Sequence, residues 1–207
     1  MAKKERQPLG EAVTFDVELE LTTPQLGTIP YDPQVFKQYI ESLKPKDQED
    51  QEDESQFVKQ TEIKGWTGFM RDKKGLFIKS YMIKGFLKHA GDVLKDQLGI
   101  RAMKSKIDDY IFITPLHLYP DPQSNGNLQH IERSLRVMTM QGPRVTLARS
   151  DYLPEGTKWK FKLINLWPNL FKEKLLKGLF AYGKLMGLGQ FRNGNYGAFE
   201  LRKFEKV

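Results

Sequence analysis

From residue 12 to residue 21 the chain alternates, with Val13, Phe15, Val17, Leu19 and Leu21 on one face and Thr14, Asp16, Glu18 and Glu20 on the other. A period of two is that of a half-buried strand. The stretch from Thr22 to Pro33, with its prolines and Gly27, interrupts the alternation. A short helix is expected from Pro33 to Leu43, with Pro33 in its first turn. Gly65 and Gly68 around Trp66 and Phe69, followed by Arg71-Asp-Lys-Lys-Gly75, predict a β-hairpin over residues 57–79 that runs into Leu76, Phe77 and Ile78. Over residues 81–98 the period changes: Ile83, Leu87, Ala90, Leu94 and Leu98 recur at three- and four-residue intervals, which is helical, with Ser80 as its cap. Lys84, Lys88 and Lys95 share another face of that helix, either a solvated face or an edge turned towards phosphate.

A strand is expected from Tyr110 to Tyr119 and a loop over Asp121-Pro-Gln-Ser-Asn-Gly126. Further strands follow at 133–140, 144–149 and 157–164, with Pro154-Glu-Gly156 as a turn. Asn169 is expected to cap the last helix, whose core face is Phe171, Leu175, Leu176, Leu179, Phe180 and Leu185 and whose end is Gly187. Tyr196 to Phe204 is expected to close the sheet. Stripped of insertions, the order is strand, helix, strand, strand, helix, strand. That order predicts an α+β fold of the ferredoxin-like (RRM-like, split βαβ) layout in one domain over residues 1–207.

The 207-residue chain can bury a full core. It has no cysteine, which excludes disulfide scaffolds, thiolate catalysis and Cys-type zinc sites, and fits a reducing compartment. No run of apolar residues is long enough for a membrane span, so a cytoplasmic protein without a membrane partner is expected. The net charge is +7, but residues 45–56 set Lys46 against six carboxylates, so that tract carries −5 and the rest of the chain +12. Such an acidic tract is expected to be a flexible insertion. The basic remainder suggests a polyanionic partner. The stripe Lys158, Lys160 and Lys162 is read differently, as the cross-strand complement of Asp16, Glu18 and Glu20.

The most shaped segment is the glycine-rich loop between the last helix and the last strand, with Gly187, Gly189, Gly194 and Gly197 in eleven residues and Arg192 as its one charge. Exposed amides with a guanidinium beside them suit phosphate. The alternative is a helix C-cap at Gly187 followed by a turn into the strand. The spacing is neither a Rossmann fingerprint nor a P-loop, and no nucleotide or other cofactor is expected.

Two motifs carry a family resemblance. Ile83-Lys-Gly-Phe-Leu-Lys88 is similar to a "SLKGALR" helix start, and Leu188-Gly-Gln-Phe-Arg-Asn-Gly-Asn-Tyr-Gly-Ala-Phe199 is similar to an "LGGxxxRGxGxV" loop. The second departs at Gln190, where the motif has glycine, and by one extra residue between Gly194 and Gly197. The chain thus resembles the RAMP (repeat-associated mysterious protein) superfamily of CRISPR-associated RNA-binding proteins, or an accessory or phage-type relative of it. The resemblance implies single-stranded RNA held along a basic groove by the loop, with subunits assembled as homo-oligomers or with other proteins.

Candidate nucleic-acid-binding residues are Lys84, Lys88, Arg133, Arg136, Arg144, Arg149, Gly187, Gly189, Arg192 and Gly194, with Trp66, Phe69 and Phe191 as stacking aromatics. For Arg144 and Arg149, salt bridges to Asp151 or Glu132 are an equal alternative. Single-stranded DNA is an alternative ligand.

His89, His117 and His130 have no metal-site spacing. His89 is the candidate general base if the chain is a metal-independent endoribonuclease. Asp32 matches loosely the position at which some RAMP subunits carry a cleaving aspartate, but an Asp-Pro helix start explains it without catalysis and is the favoured reading. Asp108 and Asp109 are expected on a strand, where neighbouring carboxylates point apart. Three readings therefore stand: a non-catalytic binder of single-stranded nucleic acid, an endoribonuclease on the same fold, and a structural or protein-interaction component of a viral or defence assembly.

Overall fold

The computed structural model describes residues 11–31, 66–121, 128–139 and 142–207. The helix expected over 33–43, the acidic tract 45–56, residues 57–65 of the hairpin and Asp32 lie outside them. The elements in chain order are β1 (Val13–Leu21), β2 (Gln25–Leu26), β3 (Ile29–Pro30), β4 (Trp66–Gly68), β5 (Met70–Asp72), β6 (Gly75–Lys79), α1 (Ser80–Leu98) and α2 (Met103–Tyr110). There follow β7 (Ile111–Thr114), β8 (His117–Leu118), β9 (Pro120–Asp121), β10 (Gln129–Thr139), β11 (Gly142–Leu153), β12 (Lys158–Asn165), α3 (Glu173–Ala181) and β13 (Phe199–Lys206). The protein is mixed α+β, mostly strands, with three α-helices among the described residues.

The central sheet runs in the order β13-β1-β12-β7, every pairing antiparallel. Alternation gives β1 an inner face of Phe15, Val17, Leu19 and Leu21. This meets Trp159, Phe161 and Leu163 of β12 and Phe199 and Phe204 of β13. Helices α1 and α3 cover that face with Ile83, Phe86, Leu87, Leu176, Leu179 and Phe180. On the outer face Asp16 pairs with Lys162, Glu18 with Lys160 and Glu20 with Lys158. Lys158 Nζ lies 3.1 Å from Glu18 and 3.8 Å from Glu20, and Lys160 also reaches Asp121. The lysine stripe is therefore the electrostatic complement of β1, as its alternation predicted.

A second sheet, in the order β10-β11-β4-β3 with β2 also on β11, stands beside the first, and β5, β6 and β8 form a third. The strands expected at 133–140 and 144–149 are longer, and they pair with each other as one hairpin.

Several expectations are corrected. Ser80 is the first residue of α1, after an N-cap at Lys79 without a side-chain bond. Helix α3 starts at Glu173 and ends at Ala181, followed by a 3₁₀ turn over Tyr182–Lys184. Asn169 is not its cap; the buried Asn165 instead donates to the Phe171 carbonyl and accepts from the Trp167 amide, bracing the approach to the helix. Leu185, beyond that helix, is 74% exposed. The segment before β7 is helical, because Met103 and Ile107, one turn apart, are both fully buried. Asp108 and Asp109 thus lie on a helix, and β13 begins at Phe199 rather than Tyr196.

Candidate nucleic-acid interface

The glycine-rich loop is built by close approach. Leu188 donates to the Gly197 carbonyl at 2.8 Å, and Gly197 donates to the Pro24 carbonyl at 2.8 Å. A Cβ on Gly187 would stand 2.0 Å from the Gly197 carbonyl carbon, so the two ends of the loop touch only because neither has a side chain. Thr23 fastens the loop to the end of β1, its hydroxyl donating to the Asn195 carbonyl and accepting from the Ala198 amide. Beneath Gly189 lies Gln25, fully buried, whose side-chain oxygen accepts from Trp159 Nε1 at 2.9 Å. The loop is thereby tied to the largest side chain of the core.

Gln190, at the position where the motif has glycine, joins the loop to the second sheet. Its side-chain oxygen accepts from Thr67 Oγ1 at 3.0 Å and Ser150 Oγ at 3.4 Å. Arg133 of β10 reaches the same point, with Nη2 donating to Ser150 Oγ at 2.9 Å. Its guanidinium carbon lies 4.7 Å from the Phe191 ring centre and 5.6 Å from that of Tyr196. Burial pushes this guanidinium below its usual pKa range. Nε and Nη1 are shut off from solvent and have no hydrogen-bond partner among the described residues.

Arg149 is differently placed. In the hairpin register Arg133 pairs with Ala148 and Arg149 with Glu132, so period-two geometry sends the two arginines to opposite faces. The Arg149 guanidinium lies 3.9 Å from the Trp66 ring centre and donates to His130 Nε2 at 2.7 Å. Its Nε stands 3.8 Å from Glu132, near enough to attract but too far for a hydrogen bond. Asp151 pairs with neither arginine, because its two oxygens accept from Tyr31 OH at 2.6 Å and Trp66 Nε1 at 3.0 Å. Trp66 is 39% exposed, whereas Phe69, expected as a stacking platform, is a core residue.

Burial, then the bond to Asp151, pushes the Tyr31 phenol up to about 12. The neutral hydroxyl is thus favoured by folding: its contribution is complete below the ordinary tyrosine range near pH 10 and is lost as the pH rises through about 12. A difference absorbance titration of the protein against its Tyr31→Phe variant should give that midpoint. A midpoint in the ordinary range would show that the bond to Asp151 does not hold in solution.

The other expected residues are dispersed. Lys84 and Lys88 converge on Asp108 of α2, at 3.3 Å and 2.7 Å, and Lys84 lies over Phe112 of β7, the edge of the central sheet opposite β13. The carboxylate of Asp108 is held below its usual pKa range, first by its bond to Lys88. Arg192 opens a 3₁₀ turn over Arg192–Gly194 and makes no ion pair among the described residues. Arg136 and Arg144 occupy strand positions opposite Val145 and Val137, with their side chains outside the description. His89 stands beside Tyr182, ring centres 6.1 Å apart, and its Nε2 is buried without a partner among the described residues. No group of three or more His, Cys, Asp or Glu able to hold a metal occurs among the described residues. No described helix is long and apolar enough to cross a membrane. Sequence reasoning missed Tyr196, Gln190, Ser150, Thr67 and Tyr31. Only Tyr196 carried a visible signal, as an aromatic inside the glycine-rich loop.

The sequence matches no protein-family model and no curated protein. In three dimensions the chain is similar to one in the cryo-EM structure of the Type III-B Cmr-beta bound to cognate target RNA, with a TM-score of 0.52 and 14% identity. The likeness covers 95% of this chain and 61% of that one, and at this identity it shows the fold.

Proposed function

We propose that the chain is a non-catalytic RNA-binding component of a RAMP-like ribonucleoprotein assembly, and that the face formed by the glycine-rich loop and the base of the β10/β11 hairpin holds the single strand. The sheet order β13-β1-β12-β7, with α1 and α3 on one side, supports a ferredoxin-like RAMP arrangement. The likeness to a chain of an RNA-bound Cmr-beta structure supports RNA over DNA and supports protein partners. The observation that carries the reading is Arg133, a cation against the neighbouring rings of Phe191 and Tyr196 with two donors unpaired among the described residues, under a loop that also carries Arg192. Aromatic faces stack bases of any sequence and guanidinium groups take phosphate, which together make a single-strand site. Binding is favoured over cleavage because His89, the candidate base, stands on α1 with its ring beside Tyr182 of the turn that follows α3.

The test is fluorescence anisotropy with a labelled single-stranded RNA at increasing salt. Affinity should fall steeply, as phosphate contacts release counterions. Arg192→Ala should weaken binding by on the order of 1 to 2 kcal/mol, the loss of a charge-assisted hydrogen bond. Arg149→Ala, on the opposite face, should change it less. Absence of salt-dependent binding would leave the structural-component reading in its place, and equal losses would move the interface to the Trp66 face.

A further inference from the structure

The glycine-rich loop covers Arg133 instead of displaying it. A guanidinium carries five N–H donors and no acceptor. Of these, Nη2 is used by Ser150, while Nε and Nη1 are enclosed without a partner among the described residues. No carboxylate pairs with this arginine among the described residues. Its neighbours are two aromatic rings, and the amide oxygen of Gln190, which shares Ser150 with it, already accepts from Thr67 and Ser150. Ring faces attract the cation but do not replace oxygen acceptors, so the donors are left in want of an anion.

The cover itself is held under strain. Phe191 has φ +55°, a left-handed conformation uncommon for a bulky residue, and Asn195, four residues on, has φ +62°. Gly194 makes the arrangement possible, since a Cβ there would stand 2.4 Å from the Phe191 ring. Between the two strained residues lies only the short turn closed by Gly194 N–H to the Phe191 carbonyl and Asn195 N–H to the Arg192 carbonyl. The ring is nonetheless 45% exposed, so one side lies near Arg133 and the other meets solvent.

We infer that Arg133 is a phosphate ligand held in reserve beneath Phe191, and that the ring lifts to release Nε and Nη1 to a phosphodiester when a base stacks on the loop. The inference rests on the nucleic-acid reading and adds to it a closed and an open state of the same site. In the closed state the strain at Phe191 and the unpaired donors raise the free energy of the empty loop. In the open state phosphate oxygens satisfy those donors and the backbone at 191 and 195 is free to relax.

The test reads Arg133 directly, by peptide mapping of its modification by phenylglyoxal, with inorganic phosphate as the probe. In the unaltered protein Arg133 should react slowly, and phosphate should not change the rate. In Phe191→Gly, which removes the cover and tolerates the left-handed backbone, modification should be several-fold faster, and phosphate should protect. Gly194→Ala, whose new methyl group meets the ring, should produce the same change with the ring still present, and it keeps the test decisive if Phe191→Gly fails to fold. Unchanged reactivity in both variants would overturn the cover, and faster modification without phosphate protection would overturn the phosphate site. If the unaltered protein binds no RNA while both variants pass, the nucleic-acid reading fails and the covered phosphate site stands.

Discussion

Replacing Gly197 with valine is expected to cost on the order of 3 to 5 kcal/mol, since it combines left-handed strain with a backbone collision. Gly197 has φ +71°, and a Cβ built on it would lie 1.9 Å from the Leu188 carbonyl oxygen. That oxygen belongs to rigid backbone, so no side-chain rotation relieves the overlap. The residue also donates to Pro24 and accepts from Leu188, so displacing it breaks both bonds and separates the loop from the end of β1. The loss should extend into the core, because Leu188 and Ala198 on either side are buried there. Urea unfolding should show a lower midpoint, and RNA affinity should fall with it. A stability change within about 0.5 kcal/mol, typical of a surface substitution, would mean that the loop is not built on this contact.

Asp151→Ala should destabilise the protein by roughly 2 to 4 kcal/mol, because two donors lose a charged acceptor in one step. The carboxylate is 7% exposed and holds Tyr31 of the β3 end and Trp66 of β4 against β11. Its own carbonyl accepts from Gly27, so the residue joins three separate stretches of chain. Asp151→Asn keeps one acceptor oxygen and should cost less. Fluorescence anisotropy of Trp66, isolated by comparison with a Trp66→Phe variant, should show the indole loosened in Asp151→Ala. An indole as immobile as before would assign Trp66 to the stack with Arg149 alone.

The central sheet was legible because β1 and β12 each carry an uninterrupted alternation, and opposite charges on their outer faces specify which strand lies beside which. Helix α2 was not, because only Met103 and Ile107 mark its buried side while Lys104, Lys106, Asp108 and Asp109 give it the composition of a loop. The candidate site was legible in its residue types and not in its geometry. Arg133 and Arg149 both stood out as cations on adjacent strands, but which face each takes depends on hairpin register, and a slip of one residue exchanges the faces. Phe69 and Trp66 have the same glycine-flanked setting in sequence, and only the folded structure buries the one and leaves the other exposed. Gln190 looked like a fault in a glycine motif, and its amide proves to be the link between loop and sheet.

The stem formed by β3 and β4 has an evolutionary consequence. Tyr31 donates to the Trp66 carbonyl at 3.0 Å, and Pro30 and Ile29 pair with Thr67 and Gly68. Tyr31 and Trp66 are therefore held side by side although 34 residues of sequence separate them. The entropy of joining two points on a chain grows only slowly with the number of residues between them. Relatives are therefore expected to differ in the length and charge of the sequence between those two points while keeping the stem and the register of Trp66 with Arg149.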